Sequence, residues 1–162
     1  TTTDIRARLF RPFYDMKGSE NSDILAVGYS DRMLTGAGGK DLFAFNLASA
    51  ERSKHFVRNF DPELDKLLLI DPTAETSSDT VYYVRILQRD ADNDNMDNDT
   101  VLWIDEDSKN LDLWTTFTIN TAKLVIVLQD STVSWEELQE IVQLQPDGLQ
   151  LKLFTVQTSS DT

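Results

Sequence analysis

Gly18-Ser-Glu-Asn-Ser-Asp-Ile-Leu-Ala26, Val27-Gly-Tyr-Ser-Asp-Arg-Met-Leu-Thr35 and Gly36-Ala-Gly-Gly-Lys-Asp-Leu-Phe-Ala44 follow one another without a gap, nine residues each. Leu25, Leu34 and Phe43 stand at the same place in each unit, so a large apolar residue returns every nine residues. A unit this short holds one strand and one turn and cannot bury that residue alone, so successive units must stack around a shared core. Two positions earlier stand Asp23 in the first unit and Asp41 in the third, with Arg32 between them in the second. If successive units face opposite ways, the first and third share a side, and their aspartates lie one full turn of a coil apart. Gly36, Gly38 and Gly39 supply the tight backbone that such a turn needs. The competing reading of this glycine run is an ordinary hairpin.

The recurring apolar residue in all three units, and the aspartate in the first and third, match the nonapeptide pattern G-G-x-G-x-D-x-U-x, in which a short strand carries the large apolar residue and the loop before it holds calcium; the middle unit breaks it with Arg32. Asp23 and Asp41 are the candidate carboxylate ligands of one ion, with Asn21, Gly36 and Gly39 supplying further oxygens and loop geometry. Arg32 stands where an ion on the other side would belong. In these features the chain resembles, over about residues 18–142, the C-terminal region of RTX proteins, the calcium-binding repeat proteins exported by type I secretion. Asp41-Leu-Phe-Ala-Phe45 looks like the strand that closes such repeats. His55-Phe-Val57-Arg-Asn59-Phe60-Asp-Pro-Glu-Leu-Asp65-Lys-Leu67 looks like the family pattern D-x-I-x-D-F-x-x-x-x-D-x-L, with His55 and Asn59 in place of aspartates. The resemblance implies a parallel β-roll, calcium as the cofactor, and folding outside the cell.

Charge points the same way. The chain of 162 residues has 15 basic and 28 acidic side chains, a formal charge of −13, and no cysteine. That excludes disulfide and cysteine-metal frameworks, and it disfavours nucleic acid and anionic membrane surfaces as partners. The acids are concentrated, since Asp90, Asp92, Asp94, Asp97, Asp99, Asp105, Glu106 and Asp107 are 8 of the 18 residues from 90 to 107, with no lysine or arginine among them. Repulsion among them is relieved by solvent and salt if the loop is merely wet, or by a hard cation with oxygen ligands. Alternating oxygens in Asp90-Ala-Asp92-Asn-Asp94-Asn95 favour the cation, and Asn95 suits a left-handed turn. Position 12 counted from Asp90 is Val101, not the glutamate an EF-hand requires, so the expectation is a looser loop whose ligands come from Asp90, Asp92, Asp94, Asp97 and Asp99.

Elsewhere, Thr80–Gln88, Val101–Ile104, Leu111–Ile119 and Lys123–Leu128 read as strands from their β-branched and aromatic content. Ser134-Trp-Glu-Glu137 is a capping box opening a short helix near 134–142. Pro146-Asp-Gly148 is a turn leading to a last strand within Leu149–Val156. The expected fold class is all-β: a short parallel β-roll or β-solenoid continuing into a β-sandwich-like cap. The expected organisation is a basic arm or edge strand at 1–17, one β domain at 18–156 (repeats 18–45, cap 54–142, final hairpin 143–156) and a tail at 157–162. The arm carries Arg6, Arg8 and Arg11 beside Phe10 and Phe13, and its expected place is over one edge of the roll or on another copy. A first residue that is threonine, with no basic and apolar leader behind it, reads as a mature chain or an excised domain.

No catalytic constellation stands out. His55 has no second histidine or cysteine near it, no serine sits in a Gly-x-Ser-x-Gly elbow, and aspartates in wet loops lack the apolar burial that makes a general acid. The expected function is a non-catalytic, calcium-binding, secreted module. The alternatives are a self-assembling subunit of an extracellular fibre, sheath or surface layer, and a carbohydrate-binding module that stacks a surface glycan on Tyr82, Tyr83, Trp103 or Trp114.

Overall fold

The computed structural model describes residues 14–27, 32–48, 52–74, 80–111 and 122–155. The strand expected at Leu111–Ile119, Trp114, most of the basic arm and the tail lie outside the described residues. The described part is mostly β, with eleven strands in two sheets and one short helix.

The repeat region forms β1 (Tyr14–Lys17), β2 (Ile24–Ala26), β3 (Arg32–Thr35) and β4 (Leu42–Asn46), and the chain continues through β5 (Ser53–Arg58) and β6 (Lys66–Ile70). Odd and even strands go to different sheets, and neighbours within each sheet run parallel. Tyr14 pairs with Arg32 and Ile24 with Leu42, both 18 residues on, which is two nonapeptide units. Leu25, Leu34 and Phe43 are all buried between the sheets, at 6%, 0% and 0% exposure. The period of nine is therefore a period of burial, with alternate units facing each other across one core.

A long excursion then interrupts the winding. β7 (Val81–Arg89) and β8 (Asp99–Asp105) form an antiparallel pair, and β9 (Leu124–Leu128) lies antiparallel to β8 and parallel to β5. After the helix α1 (Trp135–Ile141), β10 (Val142–Gln145) joins β6 in parallel, so β9 and β10 lie beside β5 and β6 as a further turn. β11 (Gln150–Leu153) runs parallel to β7, and the sheets read β1-β3-β5-β9-β8-β7-β11 and β10-β6-β4-β2. The hairpin expected at 143–156 does not form. Gly148 turns the chain with a φ of 96°, but β10 and β11 leave the turn for different sheets, β10 pairing with the free edge of β6 and β11 with that of β7.

Ser134 caps α1 as expected, its hydroxyl accepting from the Glu137 amide at 3.2 Å while Glu137 Oε1 accepts from the Ser134 amide at 3.3 Å. Leu138 and Ile141 close the core between the sheets. β8 and β9 are buried along their whole length, because a second apolar cluster, with Val101, Trp103, Val125 and Val127, packs on the outer face of the larger sheet. Buried on both faces, these strands read as continuous apolar runs rather than alternations.

Aspartates staple the loops before β2, β4 and β6 to one another. Asp41 Oδ1 accepts from the Asp23 amide at 3.0 Å, and Asp65 Oδ1 accepts from the Asp41 amide at 2.9 Å. In the other direction, the Leu42 and Lys66 amides donate to the Asp23 and Asp41 carbonyls, each at 2.9 Å. Glycine is required where the turns nest. A Cβ on Gly39, whose φ is 75°, would lie 2.8 Å from the Asn21 carbonyl carbon and oxygen. Gly39→Ala is expected to destabilise the protein by at least about 2 kcal/mol, from left-handed strain plus a backbone clash. Urea denaturation of both proteins checks this; equal midpoints would mean the turns do not nest.

Candidate metal centre

The acidic stretch does not form one loop. β8 runs through it, leaving Asp90–Asn98 as the β7–β8 connection at one end and Asp105, Glu106 and Asp107 at the other. At the second end the acids act as caps. Asp105 accepts from the Asp107 and Lys123 amides at 2.9 and 3.0 Å, and Asp107 accepts from the Lys109 amide at 3.0 Å, starting a 3-10 turn at Ser108–Asn110.

At the first end the chain curls on itself. Asp90 accepts from the Asp94 and Asn95 amides at 3.0 and 2.9 Å, and Asp94 accepts from the Met96 amide at 2.9 Å. Asn93 and Asn95 take left-handed backbone, with φ of 63° and 68°, the conformation asparagine tolerates best after glycine. Asp99, at the root of β8, is fully buried. Its Oδ2 accepts from the Ala91 and Asp92 amides at 2.7 and 3.1 Å, and its Oδ1 accepts from the Asp130 amide at 2.7 Å. One carboxylate thus ties the hairpin loop to the turn between β9 and α1.

Two groups of carboxylates result, Asp90 with Asp92 and Asp99, and Asp92 with Asp94 and Asp130; within each, one oxygen per residue lies within 4.8 Å of the others. Asp92 belongs to both, and its carboxyl is pushed up to about 6, first by withdrawal from water and then by the charges of Asp99 and Asp94, against the lowering effect of the Asp94 amide. An all-oxygen, anionic donor set of this kind suits a hard divalent cation such as calcium, which takes six to eight oxygens, and offers nothing to soft metals.

Of the expected loop ligands, Asp90, Asp92, Asp94 and Asp99 come together, and exposed Asp97 joins neither group. Asp130, which the sequence reading did not single out, completes the second group. Its only local signal is the polar Gln129-Asp130-Ser131 after the apolar run of β9.

In the coil, Asp23 and Asp41 belong to neither group, and both carboxylates accept amides: Asp23 Oδ2 from Ser19 at 2.6 Å, Asp41 Oδ1 from Asp23 at 3.0 Å. Gly36, Gly39 and Asp41 line a hollow of about 230 Å³ together with Asp61 and Asp65 of the following turn. Asn21 lies instead behind Gly39, its backbone packed against that glycine. Burial raises the Asp65 carboxyl above the ordinary carboxylate range, helped by the charges of Asp41 and Asp61 and opposed by their amides. The side chain of Arg32 lies outside the described residues.

His55 is fully buried in the core, its ring 5.4 Å from that of Phe45, which suits a structural role. Tyr82 and Trp103 are 2% and 4% exposed, so neither is a surface platform for sugar, and Tyr83 packs against the outer apolar cluster. The Tyr82 hydroxyl donates instead to Asp71 Oδ2 at 2.7 Å. Although burial opposes it, donors from Thr73 and Tyr82 hold the Asp71 carboxyl below its usual range, and burial first, then the same pairing, drives the Tyr82 hydroxyl far up. Among the described residues no helix is long and apolar enough to cross a membrane. No family model, curated protein or solved structure matches this chain.

Proposed function

We propose that this chain is a non-catalytic, calcium-binding β-roll module that works outside the cell, of the kind found at the C-terminal end of RTX proteins. The observation that carries the reading is the convergence of Asp90, Asp92, Asp94, Asp99 and Asp130 from two separate loops onto two overlapping groups of carboxylate oxygens. So many like charges at such spacing destabilise a metal-free fold, and a divalent cation reverses the sign of that contribution. Strands that alternate between two parallel-paired sheets every nine residues support the roll. The turns also bring Asp41, Asp61 and Asp65 around one hollow. In calcium-poor cytoplasm the acids repel and folding is disfavoured; outside, calcium binds the folded form and draws the chain into it.

Calcium titration by calorimetry on the wild type, Asp92→Ala and Asp97→Ala tests the site. Asp92→Ala is expected to weaken binding at the loop at least roughly tenfold, because both groups lose a shared ligand, whereas Asp97→Ala binds as the wild type does. A wild type that takes up no calcium at millimolar concentration sinks the reading.

A further inference from the structure

Beside the acidic loop, on the outer face of the larger sheet, lies a cleft of about 520 Å³, within the roughly 300–1,000 Å³ of ligand sites. Its floor carries Met33 of β3 and Phe56 of β5, side by side in the parallel register. The Lys54 ammonium, 5.1 Å from the Phe56 ring centroid, helps fix the ring. Arg58 and Gln129 line the cleft too, with Arg58 Nε donating to Gln129 Oε1 at 3.3 Å. So do Asp92 and Asp130. Among the described residues no ion pair joins Arg58 to either carboxylate, so a donor-only group and two acceptor-only groups line one cleft without neutralising each other.

We infer that this cleft is a saccharide-binding site. A sugar hydroxyl both donates and accepts, so one polyol satisfies the guanidinium and the carboxylates at once, where a purely anionic or cationic ligand meets a lining charge that repels it. The C–H face of a pyranose ring is apolar and flat, which is the surface an aromatic floor accepts. With the ion of the proposed function bound, Asp92 and Asp130 reach the sugar through it, and the five carboxylates around it outnumber its two positive charges, so that side of the cleft stays anionic. The assignment moves sugar recognition from the buried Tyr82 and Trp103 to Phe56 and Arg58.

Glycan-array screening in millimolar calcium, followed by titration of the best saccharide, tests the inference with Arg58→Gln and Phe56→Ala. Arg58 is exposed, so Arg58→Gln is expected to melt as the wild type does while binding the sugar roughly tenfold more weakly, the loss of one charged hydrogen bond. Phe56→Ala is expected to lose binding beyond detection. An array with no saccharide bound overturns the site, as does wild-type affinity in Arg58→Gln. Calcium uptake in the same samples reports separately on the metal site, so a negative array beside normal calcium binding sinks only the cleft assignment.

Discussion

Asp99→Ala is expected to cost about 3–5 kcal/mol, because a fully buried carboxylate that accepts three backbone amides is removed and those amides lose their acceptor. In a chain of 162 residues that lowers the melting temperature by on the order of 10 °C. Two of the stranded amides, Ala91 and Asp92, hold the β7–β8 connection, and the third, Asp130, holds the turn before α1. Both carboxylate groups lose their geometry together, so calcium uptake at the loop falls along with stability. Asp99→Asn, with one acceptor oxygen left, is expected to fall between Asp99→Ala and the wild type. Asp97→Ala, on an exposed residue outside both groups, is expected to stay within about 0.5 kcal/mol of the wild type. Denaturant titration of the three variants decides the matter; equal midpoints for Asp99→Ala and Asp97→Ala would remove the clamp from the account.

Asp99 shows why the sequence is legible in some places and silent in others. Leu25, Leu34 and Phe43 repeat at nine residues and all three are buried between the sheets, so here local pattern and tertiary environment coincide. The capping box at Ser134 and Glu137 is legible for the same reason, since all its partners lie within four residues. The acidic loop is legible only in part. Composition points to Asp90, Asp92 and Asp94, but nothing local separates Asp99, which becomes a buried clamp, from Asp97, which stays in solvent. Asp130 is further off still, 31 residues from Asp99, and is brought in by antiparallel pairing of β8 with β9. The repeat aspartates show the reverse case. Their spacing matches a calcium pattern, yet Asp41 and Asp65 also serve as acceptors that staple one turn to the next, a role set by stacking and invisible within any single repeat. The aromatic residues mislead, because Tyr82 faces the core between the sheets and Trp103 faces a second apolar layer outside the larger sheet, which strand alternation alone does not reveal.

The response to pH is expected to have opposite signs with and without calcium, and Asp92 is the residue that sets them. Without metal, the Asp92 carboxyl in the folded protein is pushed up to about 6, from an ordinary aspartate value of 3.8. The folded state then binds more protons than the unfolded state between about pH 4 and 6, so this group favours folding at low pH and loses that advantage as pH rises through about 6. On the proposed reading the ionised carboxylate is the calcium ligand, and protonation competes with the ion. At pH 7.5, calcium at about one hundred times its dissociation constant is expected to add roughly 2.7 kcal/mol, or on the order of 5–10 °C. At pH 5 the increment shrinks, because the proton on Asp92 must first leave. Other acids titrate in this range as well, so the informative quantity is the difference between the wild type and Asp92→Asn. The asparagine removes one repelling charge, so the metal-free variant is expected to melt at or above the wild type at pH 7.5 while gaining much less from calcium. Differential scanning calorimetry at the two pH values, with chelator and with calcium, gives both signs in one set of scans. Equal calcium increments for the two proteins, or an increment that does not change between pH 7.5 and pH 5, would show that the loop is a solvated acidic turn rather than an ion site.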